Sequence, residues 1–409
     1  MAVAASACRG EPGVTPEGPW GKVVPWLLAG CLAVSACGAF GMGLWQAWVR
    51  NGDDDMHMRV AEYAAFRVGD YPNKSVDMPK VMRTVPFTVY PPYAFPMFVA
   101  FFEPGGRLQG RIVVEALTLV AIVIMGFYGY ERLKSFGTAW ATVGALAGAG
   151  MACNGTTVAL GQFSTVCAGL LVLQVMVLER GWAAVGGLSW AAAMIKPQVG
   201  VAFSVLFLVN RQIRGLACGI GVLVALGAVA LWWTETSAAT MLHYWLFRMQ
   251  MKFAVESGGV GPGHVAEWLG VNHRLAQYAA LVALAGLGLA AVIVARLVQR
   301  DIAVPDLLPL AGMSAVLGRV LTYHRHYDNS MLFPLLVAWL SVALATPTAA
   351  NVATAVAVGL TLWIPMRVQE WVPLIQFIQP AIWIIAGLRL ASVAVSGSPP
   401  PDADRPGAG

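Results

Sequence analysis

The sequence predicts an all-α polytopic membrane protein with about ten spans, one re-entrant hairpin and extracytoplasmic loops that carry the polar chemistry. Three observations lead there. Hydrophobic residues fill 58% of the 409 positions and charged residues only 11%, where globular chains carry about a quarter charged. Apolar runs of spanning length recur along the chain. The basic residues fall in short connections that alternate with long polar ones. Such a chain cannot hide its apolar surface in one core, so lipid is its solvent. With a net charge of +5, the position of the basic residues matters more than their sum, and no nucleic-acid partner is expected.

Taken in order, residues 1–22 are Gly/Pro-rich, without a short apolar region and cleavage site, and read as a cytoplasmic tail. The run from Val23 to Val49 is too long for a removable signal and makes the first span. Further spans are expected near 111–131, 136–153, 163–178, 215–234, 277–296, 303–322, 330–346, 350–364 and 372–390. Residues 23–392 thus form one transmembrane domain, and the Pro/Gly-rich 393–409 a disordered tail. Cys8, Cys31, Cys37, Cys153, Cys167 and Cys218 lie mostly within apolar runs without a CxxC, and read as small buried residues.

The run from Ala183 to Val209 differs, because Lys196-Pro197-Gln198 interrupts its middle and Arg180, Arg211 and Arg214 flank it. The positive-inside rule places the N-terminus, with Arg9 and Lys22, in the cytoplasm. Asp53–Asp55 then emerge outside, and Arg132, Lys134, Arg180, Arg211, Arg214, Arg296 and Arg300 return inside. Both ends of 183–209 are cytoplasmic only if that segment enters and comes back. Each arm, about 12 residues or roughly 18 Å of helix, is short of a bilayer core of roughly 30 Å. A hairpin with Lys196-Pro197 at its tip follows; one tilted span would invert everything after it. All six histidines and the long loops 51–110 and 235–276 then lie outside, both termini inside, and the working face of this inner (plasma) membrane protein is extracytoplasmic.

Four polar stretches gather on that face. They are Asp53-Asp54-Asp55 with His57, the proline-aromatic elbow PFTVYPPYAFP (86–96), NGTTVALGQFS (154–164) with Gln162, and TYHRHYDNS (322–330). Lys196 reaches toward them from within. One of the three aspartates can cap the following helix, since carboxylates favour a helix N-terminus; three exceed that need. The His324–His326 pair is a weak metal signal, and Tyr323 and Tyr327 suit an interfacial aromatic belt equally well. A lysine deep in a helical membrane protein costs roughly 2.5–3.5 kcal/mol on insertion scales and points to function. Asn73-Lys74-Ser75 and Asn154-Gly155-Thr156 match the glycosylation sequon. Carboxylates can serve as a general base, and Lys196, Arg325 and His324 or His326 can stabilise an anionic leaving group. Together they suit group transfer from a lipid phosphate to an alcohol.

In the order of its motifs the chain resembles the polytopic GT-C glycosyltransferases, specifically the bacterial polyprenyl-phosphate-mannose-dependent α-1,2-mannosyltransferases. Asp55-Met56-His57-Met58-Arg59 is similar to the family's aspartate stretch after the first span, and Gly69-Asp70-Tyr71 to a Gly-x-x-Tyr element. Phe87-Thr88-Val89-Tyr90-Pro91-Pro92-Tyr93 resembles the Tyr-Pro-Pro signature, Gly161-Gln162 a Gly-Gln pair, Lys196-Pro197 a hairpin lysine, and His324 to Tyr327 a late histidine-aromatic stretch. Arg59 stands where the family has tyrosine, Ser164 where asparagine is common, and one residue is inserted before Tyr90.

The resemblance implies inverting transfer of a hexose, mannose being the expected one, from a polyprenyl-phosphate sugar donor to a glycan or glycolipid hydroxyl. It implies Asp55 as general base with Asp54 next. It places Lys196 and His324 at the donor phosphate, with Arg325 and His326 as second candidates, and Asp53, His57, Tyr90, Gln162 and Tyr327 at the substrates. No cofactor and no resident metal are expected, although the DxD in Asp53–Asp55 leaves a divalent ion open. A transporter or flippase of lipid-linked sugars is the alternative, but the chain lacks convincing internal repeats. An O-antigen ligase or polymerase would place its chemistry in one large late loop.

Overall fold

The computed structural model describes residues 19–50, 54–77, 90–255, 269–270, 272–298, 306–322, 324–365, 368, 371–372 and 374–396. Every regular element among them is helical. The chain opens with α1 (Pro19–Trp48), α2 (Asp54–Arg67), a 3-10 turn (Pro72–Asp77), α3 (Ala94–Phe102) and α4 (Gly106–Leu133). Next come α5 (Thr138–Ala147), α6 (Cys153–Leu160), α7 (Ser164–Glu179) and α8 (Ala183–Ala193). Two short pieces, α9 (Pro197–Gly200) and α10 (Val205–Val209), lead into α11 (Ile213–Trp233) and α12 (Ala238–Val255). The remainder is α13 (His273–Val298), α14 (Leu308–Leu321), a 3-10 segment (His326–Leu332), α15 (Phe333–Ala345), α16 (Ala349–Trp363) and α17 (Ile375–Ser396).

Helices are what an apolar solvent enforces, since lipid offers backbone groups no partner. Each apolar run expected from hydropathy falls on a helix. Four stretches are long and apolar enough to cross a membrane: Lys22–Trp48, Gly106–Phe136, Ile213–Trp233 and His326–Ala345, with a fifth if the bent pair α6 and α7 counts as one span. The chain is therefore a multi-pass membrane protein. The remaining runs form shorter helices than the sequence reading drew. The predicted N-terminal tail lies outside the described residues except for the first turn of α1. At the other end, α17 runs four residues into the segment read as a disordered tail, and 397–409 lie outside the description.

α15 is apolar on all sides and forms the centre, with Phe333, Leu335, Leu336, Val337 and Trp339 fully buried. α1 lies at the periphery, with Leu27 and Val34 exposed. Small residues allow the closest helix contacts, as expected where lipid tails are as apolar as leucine. A Cβ on Gly187 of α8 would run into the carbonyl of Gly215 on α11, and one on Gly219 would stand 2.7 Å from the carbonyl of Gly187.

The segment 183–209 does reverse. Its start follows Leu178 in sequence, and just past its end Asn210 and Gln212 both donate side-chain hydrogen bonds to the Leu178 carbonyl, at 3.2 and 2.7 Å. Between them the helix stops at Ala193, and Lys196 occupies the break with Pro197 opening the next helical turn. A second bend, 119° between α6 and α7, lies at Gly161–Phe163, where only a span start was expected. Only the end of the proline-aromatic elbow is helix: α3 begins at Ala94, with Pro96 in its first turn where a missing N–H is tolerated. Residues 86–89 of that stretch lie outside the described residues.

Far along the chain from these breaks, Arg132 at the end of α4 pairs with Glu179 at the end of α7 and, at 3.1 Å, with Asp306 ahead of α14. The positive-inside reading expects Arg132, and Arg180 next to Glu179, on the cytoplasmic side. Both sequon asparagines are fully buried. Asn73 donates to the Tyr71 hydroxyl and the Tyr90 carbonyl, and Asn154 ties the end of α5 to Thr165 of α7, so each is a packing residue.

Candidate functional site

Asp55 occupies the second position of α2, where the helix N-terminus favours a carboxylate. Only 8% of it is exposed. Its Oδ2 accepts a hydrogen bond from Nε2 of Gln162, a residue 107 positions away. Gln162 reaches it because α6 ends at Gly161 in the left-handed conformation (φ +67°), which glycine adopts without strain. The turn also requires glycine for space. A Cβ there would stand 2.6 Å from the Met56 side chain, next door to Asp55.

The other end of the Gln162 amide faces Lys196. Oε1 of Gln162 accepts from Lys196 Nζ at 3.2 Å, and the same ammonium donates to Ser164 Oγ and Asp328 Oδ1, both at 2.7 Å. Lys196 and Asp328 expose 4% and 2% of their side chains, so this is a buried ion pair. All three ammonium donors are used. The ring of Tyr327 completes the surround, 4.6 Å from Nζ, a favourable cation–π distance.

Asp328 is held in turn. Its Oδ1 accepts from Ser164 Oγ at 2.6 Å, and its Oδ2 from the Arg325 backbone N–H at 3.2 Å. His324 Nδ1 lies 3.2 Å from the same Oδ2, while its Nε2 meets Thr322 Oγ1 at 2.7 Å and the Gly318 carbonyl at 3.1 Å. His324 is fully buried with both ring nitrogens engaged. A continuous polar chain therefore runs Asp55–Gln162–Lys196–Asp328–His324–Thr322 through the bundle. Four breaks in regular helix supply it: the start of α2, the α6–α7 bend, the tip of the reversed segment and the turn after α14.

A second buried pair lies beside Asp55. Arg59 is 3% exposed, bridges Glu62 at 2.8 Å, and donates through Nε to the Asp55 carbonyl at 3.4 Å. Its guanidinium stacks on the Tyr90 ring at 4.3 Å. Burial disfavours that charge, but Glu62, with Tyr90 and Asp55, more than offsets it and raises the Arg59 pKa. Burial also pushes the Tyr90 hydroxyl above the usual phenol range, against the pull of Arg59, and keeps it neutral. Tyr90 packs edge-on against Phe98 and Phe163.

Of the residues singled out from sequence, Asp55, Gln162, Lys196, His324, Tyr90 and Tyr327 come together. Arg325 and His326 are half-buried at the edge, Arg325 joining through its backbone. His57 is on the exposed face of α2. Asp54 begins α2, and Asp53 lies outside the described residues. Sequence reasoning missed the Arg59–Glu62 pair and gave Asp328, Ser164 and Thr322 no role of their own, although all three lie in the polar stretches it singled out. Asp328 was visible in principle, four residues after His324 in a polar stretch between two apolar runs. Among the described residues no group of three or more His, Cys, Asp or Glu side chains converges on a metal position.

A model of the protein family described as glycosyltransferase family 87 matches residues 87–322, more than half of the chain. The chain belongs to glycosyltransferase family 87. It is a membrane glycosyltransferase of the GT-C class. No curated protein and no solved structure matches it. The matched segment of this family 87 transferase contains Gln162, Ser164, Lys196 and Thr322. Asp55 precedes it, and His324 and Asp328 follow it. The amide and the ammonium at the middle of the polar chain are thus inside the family match, and both aspartates are outside.

Proposed function

We propose that this family 87 enzyme transfers a hexose, mannose by preference, from a polyprenyl-phosphate sugar to a hydroxyl of a glycan or glycolipid on the extracytoplasmic face, with inversion. The observation that carries the reading is the placement of Asp55 across one amide from a buried lysine. An acceptor hydroxyl held at Asp55 loses its proton to the carboxylate as its oxygen attacks the anomeric carbon. The sugar–phosphate bond breaks on the opposite side, and the electron pair leaves with the lipid phosphate toward Lys196.

Lys196 is neutralised by Asp328, and its contact to Gln162 is the longest of its three. The donor phosphate takes that donor, and Gln162 turns its amide fully to Asp55. His324 then acts by holding Asp328, while Arg325 and His326 at the edge meet the more exposed part of the donor. Asp54 remains the second candidate for the base.

Support for sidedness comes from the grouping of residues. Arg132, Glu179 and Asp306 meet at one end, as positive-inside alternation requires of cytoplasmic groups. The short apolar helices complete about ten passes, with the reversed segment entering from the cytoplasm and returning to it. The test is donor choice. Purified protein in nanodiscs is given radiolabelled polyprenyl-phosphate mannose or a nucleotide-linked mannose together with a membrane-glycolipid extract. Label should reach glycolipid from the lipid phosphate alone. Transfer from the nucleotide sugar would overturn the donor class.

A further inference from the structure

The polar chain depends on the turn that ends α6, and that turn is braced from outside the polar chain. Gly161 and Gln162 follow the last turn of α6, whose terminal carbonyls have no helical partner. The Gly161 and Gln162 N–H groups return to the carbonyls of Val158 (3.3 Å) and Thr157 (2.9 Å). The remaining capacity is taken by a residue of α4. Arg111, 3% exposed, donates through Nη2 to the Val158 carbonyl at 2.6 Å and through both terminal nitrogens to the Ala159 carbonyl at 3.4 Å.

A guanidinium at a helix C-terminus meets the negative end of the dipole. The turn is therefore pressed between Met56 on one side and Arg111 on the other, whose Nη1 would stand 3.7 Å from a Cβ at Gly161. Arg111 is itself anchored: its Nε reaches Glu115 Oε1 at 2.6 Å. That carboxylate also accepts from the indole N–H of Trp48 at 3.0 Å, in the last turn of α1 and just ahead of the aspartates.

We infer that Arg111 is a positioning residue: with Glu115 it fixes the end of α6 relative to the end of α1, and so keeps the Gln162 amide aimed at Asp55. The inference rests on the reading of Asp55 and Gln162 given above. It assigns a task to a buried arginine far in sequence from every site residue. Nothing in its own stretch, RLQGRIVVEALT, distinguishes it from a charge at the head of a span.

The test is a double-mutant cycle on the intact protein in nanodiscs, with radiolabelled polyprenyl-phosphate mannose as donor. Arg111→Met should lower kcat about tenfold or more, because small misplacements of a positioning group are costly. KM for the donor should stay within about threefold. Once Gln162→Leu is present, Arg111→Met should cost less than about twofold, since the two act on one event. The same cost in both backgrounds would overturn the inference.

Glu115→Gln, which leaves Arg111 its carbonyls, should show a smaller loss with the same coupling, and serves where Arg111→Met fails to accumulate. Full activity in Glu115→Gln, or a loss of equal size in both backgrounds, counts against the clamp. Hydrogen exchange of the peptide over residues 158–164 reads the turn without any substrate. It should quicken in Arg111→Met and Glu115→Gln while peptides from α15 stay protected, and unchanged exchange at 158–164 would overturn the inference. An Asp55→Asn enzyme as active as wild type would instead sink the reading of the base and leave the exchange result standing.

Discussion

Nζ of Lys196 and Oδ1 of Asp328 lie 2.7 Å apart, from positions 132 residues distant in sequence, at a depth where 4% and 2% of their side chains are exposed. An isolated charge at such a place is expensive, and a paired one leaves the other deficient when it is removed. The pair therefore sets the stability of the site and, in the proposed mechanism, the electrostatics that the donor phosphate meets.

Removing one partner separates these roles. Lys196→Met and Asp328→Leu should each destabilise the protein by about 3–5 kcal/mol, because each leaves a buried charge uncompensated. The double substitution should recover most of that loss while transfer remains absent. Thermal unfolding in detergent beside a transfer assay distinguishes the cases. A double variant as unstable as the worse single one would mean the pair is not the source of the cost.

Gln162→Leu deletes the amide that joins Asp55 to Lys196 while keeping similar bulk. It should lower turnover on the order of tenfold to a hundredfold, as loss of one aligned polar contact in a reacting site does, with expression close to wild type. Steady-state kinetics with a saturating donor provides the check, and an effect confined to KM would argue that Gln162 only binds.

The close approach of α8 and α11 predicts a failure of folding rather than of chemistry. Gly187→Leu places a side chain where the Gly215 carbonyl already stands. The hairpin that carries Lys196 should lose its seat, and the protein should run as an aggregate in size-exclusion chromatography. A monodisperse, active Gly187→Leu protein would show that α8 can move away freely.

Much of the fold was legible because hydropathy reports directly on lipid contact. Every expected run from 23–49 to 372–390 falls on a helix, and the reversal at Lys196-Pro197 was readable from charge on both flanks. The 119° bend at Gly161–Phe163 was not, since apolar composition is silent on where the backbone turns and only a left-handed glycine marks it. Lys196 stood out as a charge inside an apolar run, and Asp55, Gln162 and His324 through the polar stretches between such runs. Asp328 shares a stretch with His324 but gained no role of its own, because its meaning lies in partners on α7 and at the hairpin tip, contacts between distant parts of the chain that local pattern does not encode. Arg111 was hidden for the same reason.

Sidedness can be read with single cysteines in a background without the native ones. Val68, 74% exposed at the end of α2, and Trp182, 59% exposed ahead of α8, lie on opposite faces in the proposed topology. Val68→Cys should react with a membrane-impermeant maleimide in intact cells, and Trp182→Cys only after permeabilisation. The reverse pattern would invert the protein.

In the proposed mechanism Asp55 takes the acceptor proton. The most direct measurement is turnover of radiolabelled polyprenyl-phosphate mannose by wild type and by Asp55→Asn, in nanodiscs with a glycolipid extract. The account predicts transfer by wild type and a loss on the order of a hundredfold or more in Asp55→Asn, with unchanged donor binding and normal insertion. Full activity in Asp55→Asn would contradict it and pass the role of base to another group, Asp54 first.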